Sequence, residues 1–490
     1  MIQRRDISEN ILSGSATLKD VLVALNRGIQ GVVFVVDDSG AMTGLFTDGD
    51  ARRALLGGGN LSDFAAQHMN RKFTVGKASD SRQENLKLLN ERVRHLPLVD
   101  EAGRPVDMIT WAEMWRLPVM EPSLAGNELK YVTDCLGSGW ISSQGPYVRR
   151  FEEAFATFHS VPHALTVSNG TVALHLALVA LGIGPGDEVI VPDLTFAASA
   201  NVVIHCGATP VLADVTPDTW TLDPADVARK ITRRTKAVMP VHLYGHPCDM
   251  DPILALAKKH NLFVVEDNAE ALGAEYRGAK TGTMGDVGCF SFFANKVITT
   301  GEGGMVICKD AALFQKMQVL RDHGMEKSRR YWHLVPGFNY RLTSMQAAIG
   351  LAQMERLEHF LSRRDEIVAR YDAALSKVPG IVLPPRAPWA RNIHWLYSIL
   401  VDPALAGIDR DALAVRLGEL GIETRGFFFP LHIMPPYAST DAFPVTTDVS
   451  SRGLSLPTAN DIRFEDVDRV CAAIADIVRT ALTLKNHAAA

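Results

Sequence analysis

The chain has 490 residues, room for about three domains of ordinary size. Hydrophobic residues make up 47% and charged residues 21%, close to an ordinary globular protein with material for a large core. With 50 Lys and Arg against 55 Asp and Glu the net charge is −5, which argues against nonspecific binding to nucleic acid or to an anionic membrane.

The six cysteines lie far apart with no C-x-x-C pair, so neither a disulfide framework nor a structural zinc site is expected, and no metal is assigned. The N-terminus, MIQRRDISENIL, has no apolar h-region, and no apolar stretch approaches the length of a membrane span. A cytoplasmic protein without a membrane partner is the expectation.

Residues 1 to about 118 repeat a small pattern twice. Helical Leu18 to Leu25 leads into a strand at Gly31 to Val36, a turn at Asp37-Asp38-Ser39-Gly40, and a short strand from Met42 to Phe46. The second copy has helix material around Glu84 to Arg92, a strand from His95 to Asp100, a turn at Glu101-Ala102-Gly103 and a closing stretch from Val106 to Thr110. Duplication at this period marks paired units that bury their apolar faces on each other. The arrangement resembles a CBS domain pair, an α+β module that senses adenine nucleotides. By that resemblance Thr47 and Asp50 are candidates to hold a nucleotide ribose, the nucleotide being an adenine or guanine one; Asp50 as a helix cap is the plain alternative. Glu113 stands at the corresponding place of the second copy.

A Pro-bearing connector, RLPVMEPSLAG, follows, and then buried β-type runs alternate with helices. Strands are predicted at His163 to Val167, Glu188 to Val191, Pro210 to Leu212, Ala237 to Val241 and Leu262 to Val265, with helices at Val172 to Leu181, Ala197 to His205 and Pro252 to His260. Short all-apolar strands separated by helices predict a mainly parallel sheet covered on both faces, with ligands at the carboxyl ends of its strands.

Three motifs fall at such ends. In Ser168-Asn169-Gly170-Thr171, Gly170 allows a tight turn, Thr171 can cap the next helix, and the exposed N–H groups make an anion pocket. Glu266-Asp267 puts carboxylates at the tip of a buried strand, where they need a cationic or hydrogen-bonding partner or else cap a following helix. The stretch SFFANKVITTGEGG at 291–304 places Lys296 in apolar surroundings. Desolvation lowers the pKa of such an amine and suits it to a Schiff base and to proton transfer, although a snorkelling lysine beside a glycine turn would read the same alone. Each motif has an ordinary structural reading; the three together ask for a ligand with a phosphate, a pyridine nitrogen and an aldehyde. That ligand is pyridoxal 5'-phosphate.

Residues from about 124 to 480 resemble the DegT family of nucleotide-sugar aminotransferases. The resemblance rests on GWISSQGPY at 139–147, SNGTVALHLAL at 168–178, VPDLTF at 191–196, EDNAEALGA at 266–274, SFFANKVITTGEGGMV at 291–306, GFNYRLTSMQAAIGLAQMERL at 337–357 and RGFFFPLH at 425–432. It implies an α/β type I aminotransferase fold, mainly parallel with helices on both faces, in a large domain at 119–370 and a small α+β domain at 371–490, after the CBS pair at 1–118. It implies that Lys296 carries the cofactor as a Schiff base, that Asp267 partners the pyridine nitrogen, that Phe196 stacks on the ring, and that Gly170, Thr171 and Ser291 contact the phosphate. Asn339 matches an asparagine that reaches the phosphate of a neighbouring subunit, which makes the enzyme at least a homodimer.

Glu270, in an E-D-x-A-E pattern where many members have Gln or His, is similar to the GDP-perosamine synthases, although Gly426 stands where that subgroup commonly has Pro. The implied reaction is amination of GDP-4-keto-6-deoxy-mannose by L-glutamate, for surface polysaccharide synthesis. The alternatives are a UDP- or dTDP-linked keto sugar, a dehydratase on the same fold (against which Lys296 speaks), and a nucleotide-responsive regulator with a vestigial catalytic part. His394, Arg425 and His432 are loop candidates in the small domain for closing over the sugar, each equally readable as structural.

Overall fold

The computed structural model describes residues 7–27, 31–80, 82–90, 92–111, 117–326, 328–329 and 331–489. Glu113 lies outside the described residues. The chain divides into two compact units, Met1–Arg116 with Gly418–Gly421, and Leu117–Leu417 with Ile422–Ala490.

The first unit shows its duplication in topology. Ile11–Ser13 pairs in parallel with Val32–Val36, which pairs antiparallel with Met42–Thr47. The second copy repeats this with Gly76–Lys77, His95–Val99 and Pro105–Thr110. The short first strand of each copy, Ile11–Ser13 and Gly76–Lys77, has no apolar run behind it and was not predicted. The turns match as well: Asp37 Oδ1 accepts the Ser39 and Ala41 N–H groups, and Asp100 Oδ1 those of Ala102 and Arg104. Alternation splits the run Val32 to Val35 between two cores. Val33 and Val35 face helix Leu18–Arg27, while Val32 and Phe34 pack with Leu45 and with Met108 of the other copy.

The second unit is built on a seven-stranded sheet: β1 (His163–Val167), β2 (Glu188–Pro192), β3 (Thr209–Ala213), β4 (Thr235–Val238), β5 (Phe263–Asp267), β6 (Val287–Ser291) and β7 (Gly304–Cys308). The spatial order is β1-β7-β6-β5-β4-β2-β3. Every pairing is parallel except those of β7, which runs against both neighbours. β4 ends at Val238, short of the predicted Val241: Pro240 has no N–H to give the ladder, and pairing with β5 continues only as an isolated parallel bridge between Val241 and Asp267, with the Pro240 carbonyl accepting the Asp267 N–H at 2.9 Å. The helix α1 (Gly170–Leu181) is apolar on most of its surface and is buried across the sheet, with Leu174, Leu176, Ala177 and Leu178 in its core. On another core, Phe155 packs edge-on against Phe151, Phe290 and Phe292 with centroids at 6.2, 5.0 and 5.6 Å.

A four-stranded antiparallel sheet of Ile381–Val382, Tyr397–Val401, Gly453–Leu456 and Arg425–Gly426 forms the smaller lobe. Two features depart from the expected division at 119 and 370. Helix α2 (Leu357–Leu375) runs unbroken through residue 370, giving Phe360 and Leu361 to one core and Ile367, Val368 and Tyr371 to the other. The connector is woven into the smaller lobe: Leu117 bridges to Ile422, and the Val119 N–H donates to Glu423 Oε2 at 3.0 Å. Among the described residues no helix is long and apolar enough to cross a membrane.

Phe155→Ala, which empties a fully buried site, is expected to cost about 3–5 kcal/mol, read as a lowered denaturation midpoint with an unchanged slope.

Candidate active site

The carboxyl ends of β1, β2, β5 and β6 share one edge of the sheet, and the segments leaving them line a cavity of about 790 Å³. Gly170, Thr171, Phe196, Asp267, Glu270, Ser291, Lys296 and Arg425 all line it, so eight of the sequence-derived residues are brought together.

After β1 the chain turns into α1, and the cap of that helix is Asn169, not Thr171: Asn169 Oδ1 accepts the Val172 N–H at 2.9 Å. Thr171 sits in the first helical turn and lines the cavity. Ser291, the last residue of β6, packs so closely that a Cβ on Gly170 would lie 2.7 Å from its Cβ. Thr171, Ser291 and the first N–H groups of a helix therefore line one pocket that a side chain at position 170 would crowd.

At the end of β5, three acids within five residues are buried. Glu266 accepts the N–H groups of Gly282, Met284 and Gly285 at 2.7, 2.7 and 2.6 Å. Its fourth donor is His242: Nδ1 of that ring takes the Cys248 N–H at 3.0 Å, so the proton sits on Nε2, 3.1 Å from Glu266 Oε2. Burial pushes the Glu266 pKa up, but His242 and the backbone donors outweigh it and hold it below the ordinary value. Glu266 is thus a structural anchor. Asp267 Oδ2 accepts from Ser199 Oγ at 2.8 Å and Oδ1 from the Ala269 N–H at 3.1 Å. Burial raises its pKa, against the lowering by these two donors and by the nearby Lys296. No helix follows Asp267; the next elements are the short strands Glu275–Tyr276 and Ala279–Lys280, so the helix-cap alternative does not hold.

Lys296 lies in the loop after β6. Its Nζ is 3.6 Å from Glu270 Oε1 and 3.8 Å from the centroid of the Trp395 ring. Glu270 Oε2 accepts the Tyr244 N–H at 2.9 Å. Burial lowers the lysine pKa and raises that of Glu270. Phe196, 61% exposed, offers an open aromatic face in the cavity.

Other candidates stand apart. Asn339 is exposed, accepts from Arg341 Nε at 3.1 Å, and does not line its own chain's cavity. Arg425 lines the cavity; His394 does not, and His432 is fixed to Asp193 Oδ2 at 2.6 Å. In the first unit, Thr47 and Asp50 form a capping box. Asp50 Oδ2 accepts the Thr47 N–H and hydroxyl at 2.9 and 2.7 Å, and Oδ1 accepts from Arg53 at 2.6 Å. Residues not foreseen from sequence are Asn169, Tyr340, Trp395 and Phe428, all on the cavity wall. Asn169 carried a signal, being an N-cap type three residues before the bonded N–H; Trp395 carried none, since nothing in its spacing ties it to a loop a hundred residues earlier.

The donor set fits pyridoxal 5'-phosphate: an anion cradle at one end, a buried acid at the other, an aromatic face, and an amine between. On a mainly parallel sheet of this order, that set defines a pyridoxal-phosphate-dependent aminotransferase of the type I fold. Comparison with known proteins agrees. The profile of the DegT/DnrJ/EryC1/StrS aminotransferase family matches residues 122–475, and that of the CBS domain matches residues 6–57 and 61–114. A GDP-perosamine synthase of Caulobacter vibrioides is 51% identical over 370 residues, covering 75% of this chain and 100% of the relative. Among solved structures, DesV of S. venezuelae superposes with a TM-score of 0.68 at 37% identity, over 72% of this chain and 94% of its own. The PLP form of a putative sugar aminotransferase from Streptococcus pneumoniae gives 0.70 at 29%, over 74% and 99%. The chain belongs to the DegT/DnrJ/EryC1/StrS aminotransferase family: it is a sugar aminotransferase that uses pyridoxal 5'-phosphate, preceded by a CBS domain pair.

Two outcomes follow from this geometry. Gly170→Ala should push Ser291 out of the cradle and weaken cofactor binding roughly ten-fold, measured by equilibrium titration of the cofactor-free protein. Because the Glu266 pKa is lowered on folding, its stabilisation is full above the unfolded value near 4.5 and is lost as pH falls through the folded one. Glu266→Gln should cost about 3–5 kcal/mol at neutral pH and flatten the loss of stability toward acid, read from urea melts across that range.

Proposed function

We propose that the chain transfers the amino group of L-glutamate to the 4-keto carbon of GDP-4-keto-6-deoxy-mannose, giving GDP-perosamine. The observation that carries this reading is the likeness to the Caulobacter GDP-perosamine synthase over that protein's whole length. Glu270, buried beside Lys296, fits the same subgroup.

The cofactor, when bound, supplies a carbonyl that takes up the amino group and a conjugated ring that accepts electrons from the adjacent carbon. The protein does the rest. The helix start with Thr171 and Ser291 would anchor the phosphate, Phe196 would stack on the ring, and Asp267 would keep the ring nitrogen protonated. Lys296 Nζ takes a proton from the donor's α-carbon and later delivers one to the sugar carbon. Glutamate leaves as 2-oxoglutarate before the keto sugar enters, so both halves use one lysine.

We infer further that Asn339 serves the cavity of a second copy, which makes a homodimer or higher homo-oligomer the working form; its exposure outside its own cavity supports this. The six cysteines, all free, suit the reducing cytoplasm. The CBS pair is read as a site for an adenine or guanine nucleotide that modulates turnover or assembly. Titration of AMP, ATP or GTP into the full chain should change one of these, and an unresponsive chain would overturn that role.

The decisive test is mass spectrometry of GDP-4-keto-6-deoxy-mannose incubated with the protein and amine-labelled L-glutamate. Label in the sugar is expected, and Lys296→Ala should abolish it in a folded chain. Label lost from glutamate but absent from the sugar would discard the GDP-mannose substrate, and turnover by Lys296→Ala near the wild-type rate would discard the catalytic assignment.

A further inference from the structure

Trp395 and Arg364 have no part in the chemistry above, yet the structure invests in both. Lys296 Nζ lies 3.8 Å from the centroid of the Trp395 ring, so the amine sits on an indole face. That indole is fixed at four points. Its Nε1–H donates to the Asn295 carbonyl at 2.7 Å and its backbone N–H to the Tyr244 carbonyl at 3.0 Å. Its own carbonyl accepts from Arg364 Nη1 at 2.8 Å, and its ring lies 10° from the plane of Tyr244.

Arg364 is 1% exposed, and among the described residues no carboxylate pairs with it. Its Nη1 donates to two successive carbonyls, those of His394 and Trp395. Burial lowers its pKa to about 10. A guanidinium without a counter-ion in a core is expensive, and an apolar side chain of like volume would avoid that cost. The backbone that delivers both carbonyls is itself unusual: His394 is left-handed, with φ at +46°. A Cβ on Gly245 would lie 2.8 Å from the nitrogens of His394 and Trp395, so that glycine is what lets the Tyr244 segment close on them.

We propose that Trp395 is the seat of the Lys296 ammonium, holding the amine over its indole face whenever the lysine is released from the cofactor, and that Arg364 is the positioning residue that fixes this seat through the Trp395 carbonyl. The proposal rests on Lys296 being the cofactor lysine. A lysine that gives and takes a proton must be stable in both forms in a cavity where burial disfavours the charged one. Of the charged groups that face it, Glu270 and Asp267 favour the ammonium and Arg425 opposes it; Tyr244 stays neutral, its pKa raised by burial. A further carboxylate would trap the proton. An aromatic face attracts the cation without a formal charge, so the amine can still release it.

The experiment uses the full chain freed of cofactor, with tryptophan analogues carrying one to four ring fluorines placed at position 395. Fluorine drains the ring face while keeping its shape. The readout is the pH midpoint for acetylation of Lys296, followed by peptide mass spectrometry. The midpoint should fall step by step, reaching roughly a ten-fold loss in the ammonium-to-amine ratio, about one pH unit, for the most fluorinated ring. Arg364→Met, which does not touch the lysine, should move it the same way, and Arg364→Lys should restore part of the shift. A midpoint that stays put along the fluorine series, in protein whose circular dichroism is unchanged, overturns the proposal. Borohydride reduction of the loaded wild type separates the two readings: a Lys296 peptide without the pyridoxyl group would sink the cofactor assignment, while the fluorine series is read without cofactor.

Discussion

Keeping three carboxylates out of water at one strand end is the constraint on which the second unit turns. Glu266, Asp267 and Glu270 are all buried, and burial of such groups without partners would cost several kcal/mol each. The structure meets each case differently. Glu266 is saturated by three backbone donors and a histidine of fixed tautomer, which leaves it nothing to offer a ligand. Asp267 has two donors, the Ser199 hydroxyl and the Ala269 N–H, and burial raises its pKa in spite of them. Glu270 shares its oxygens between a backbone N–H and the lysine. A gradient of satisfaction along five residues thus separates the scaffold from the chemistry.

That gradient explains what could be read from the sequence. The strands His163–Val167 and Phe263–Asp267 announce themselves as apolar runs, and the motifs at their ends fall where a parallel sheet gathers its loops. Eight of the proposed residues meet in one cavity for that reason. The order of the motifs along the chain carries the assignment, because each alone reads as a turn, a cap or a solvated lysine. The resemblance singled out Asp267, but the structural role of Glu266 was hidden, since its donors come from Gly282 to Gly285 and from His242, at distances in sequence that no periodicity encodes.

Misreadings had the same origin. Thr171 and Asn169 are both good capping types two positions apart, and only the backbone at Asn169 decides between them. The connector at Leu117 looks like a linker by composition, yet it supplies a strand-like edge to the smaller lobe. In the first unit, duplication gave away the long strands and the helix at Leu18, but the helix expected around Glu84 to Arg92 is confined to Arg82–Leu86, and the two-residue strand Gly76–Lys77 is defined by its partner and not by its own residues. Asp50 shows the limit of motif reading: the carboxylate that would meet a ribose is the one that closes the capping box.

The helix Leu357–Leu375 belongs to two cores at once, and the chain enters the second unit through an edge of its smaller lobe. No cut near residue 370 divides the fold cleanly, because either fragment would carry away half of a shared helix and expose the apolar stripe that the other half buries. The two lobes are therefore one cooperative unit of unfolding, with a single thermal transition where a catalogue of domains would count two.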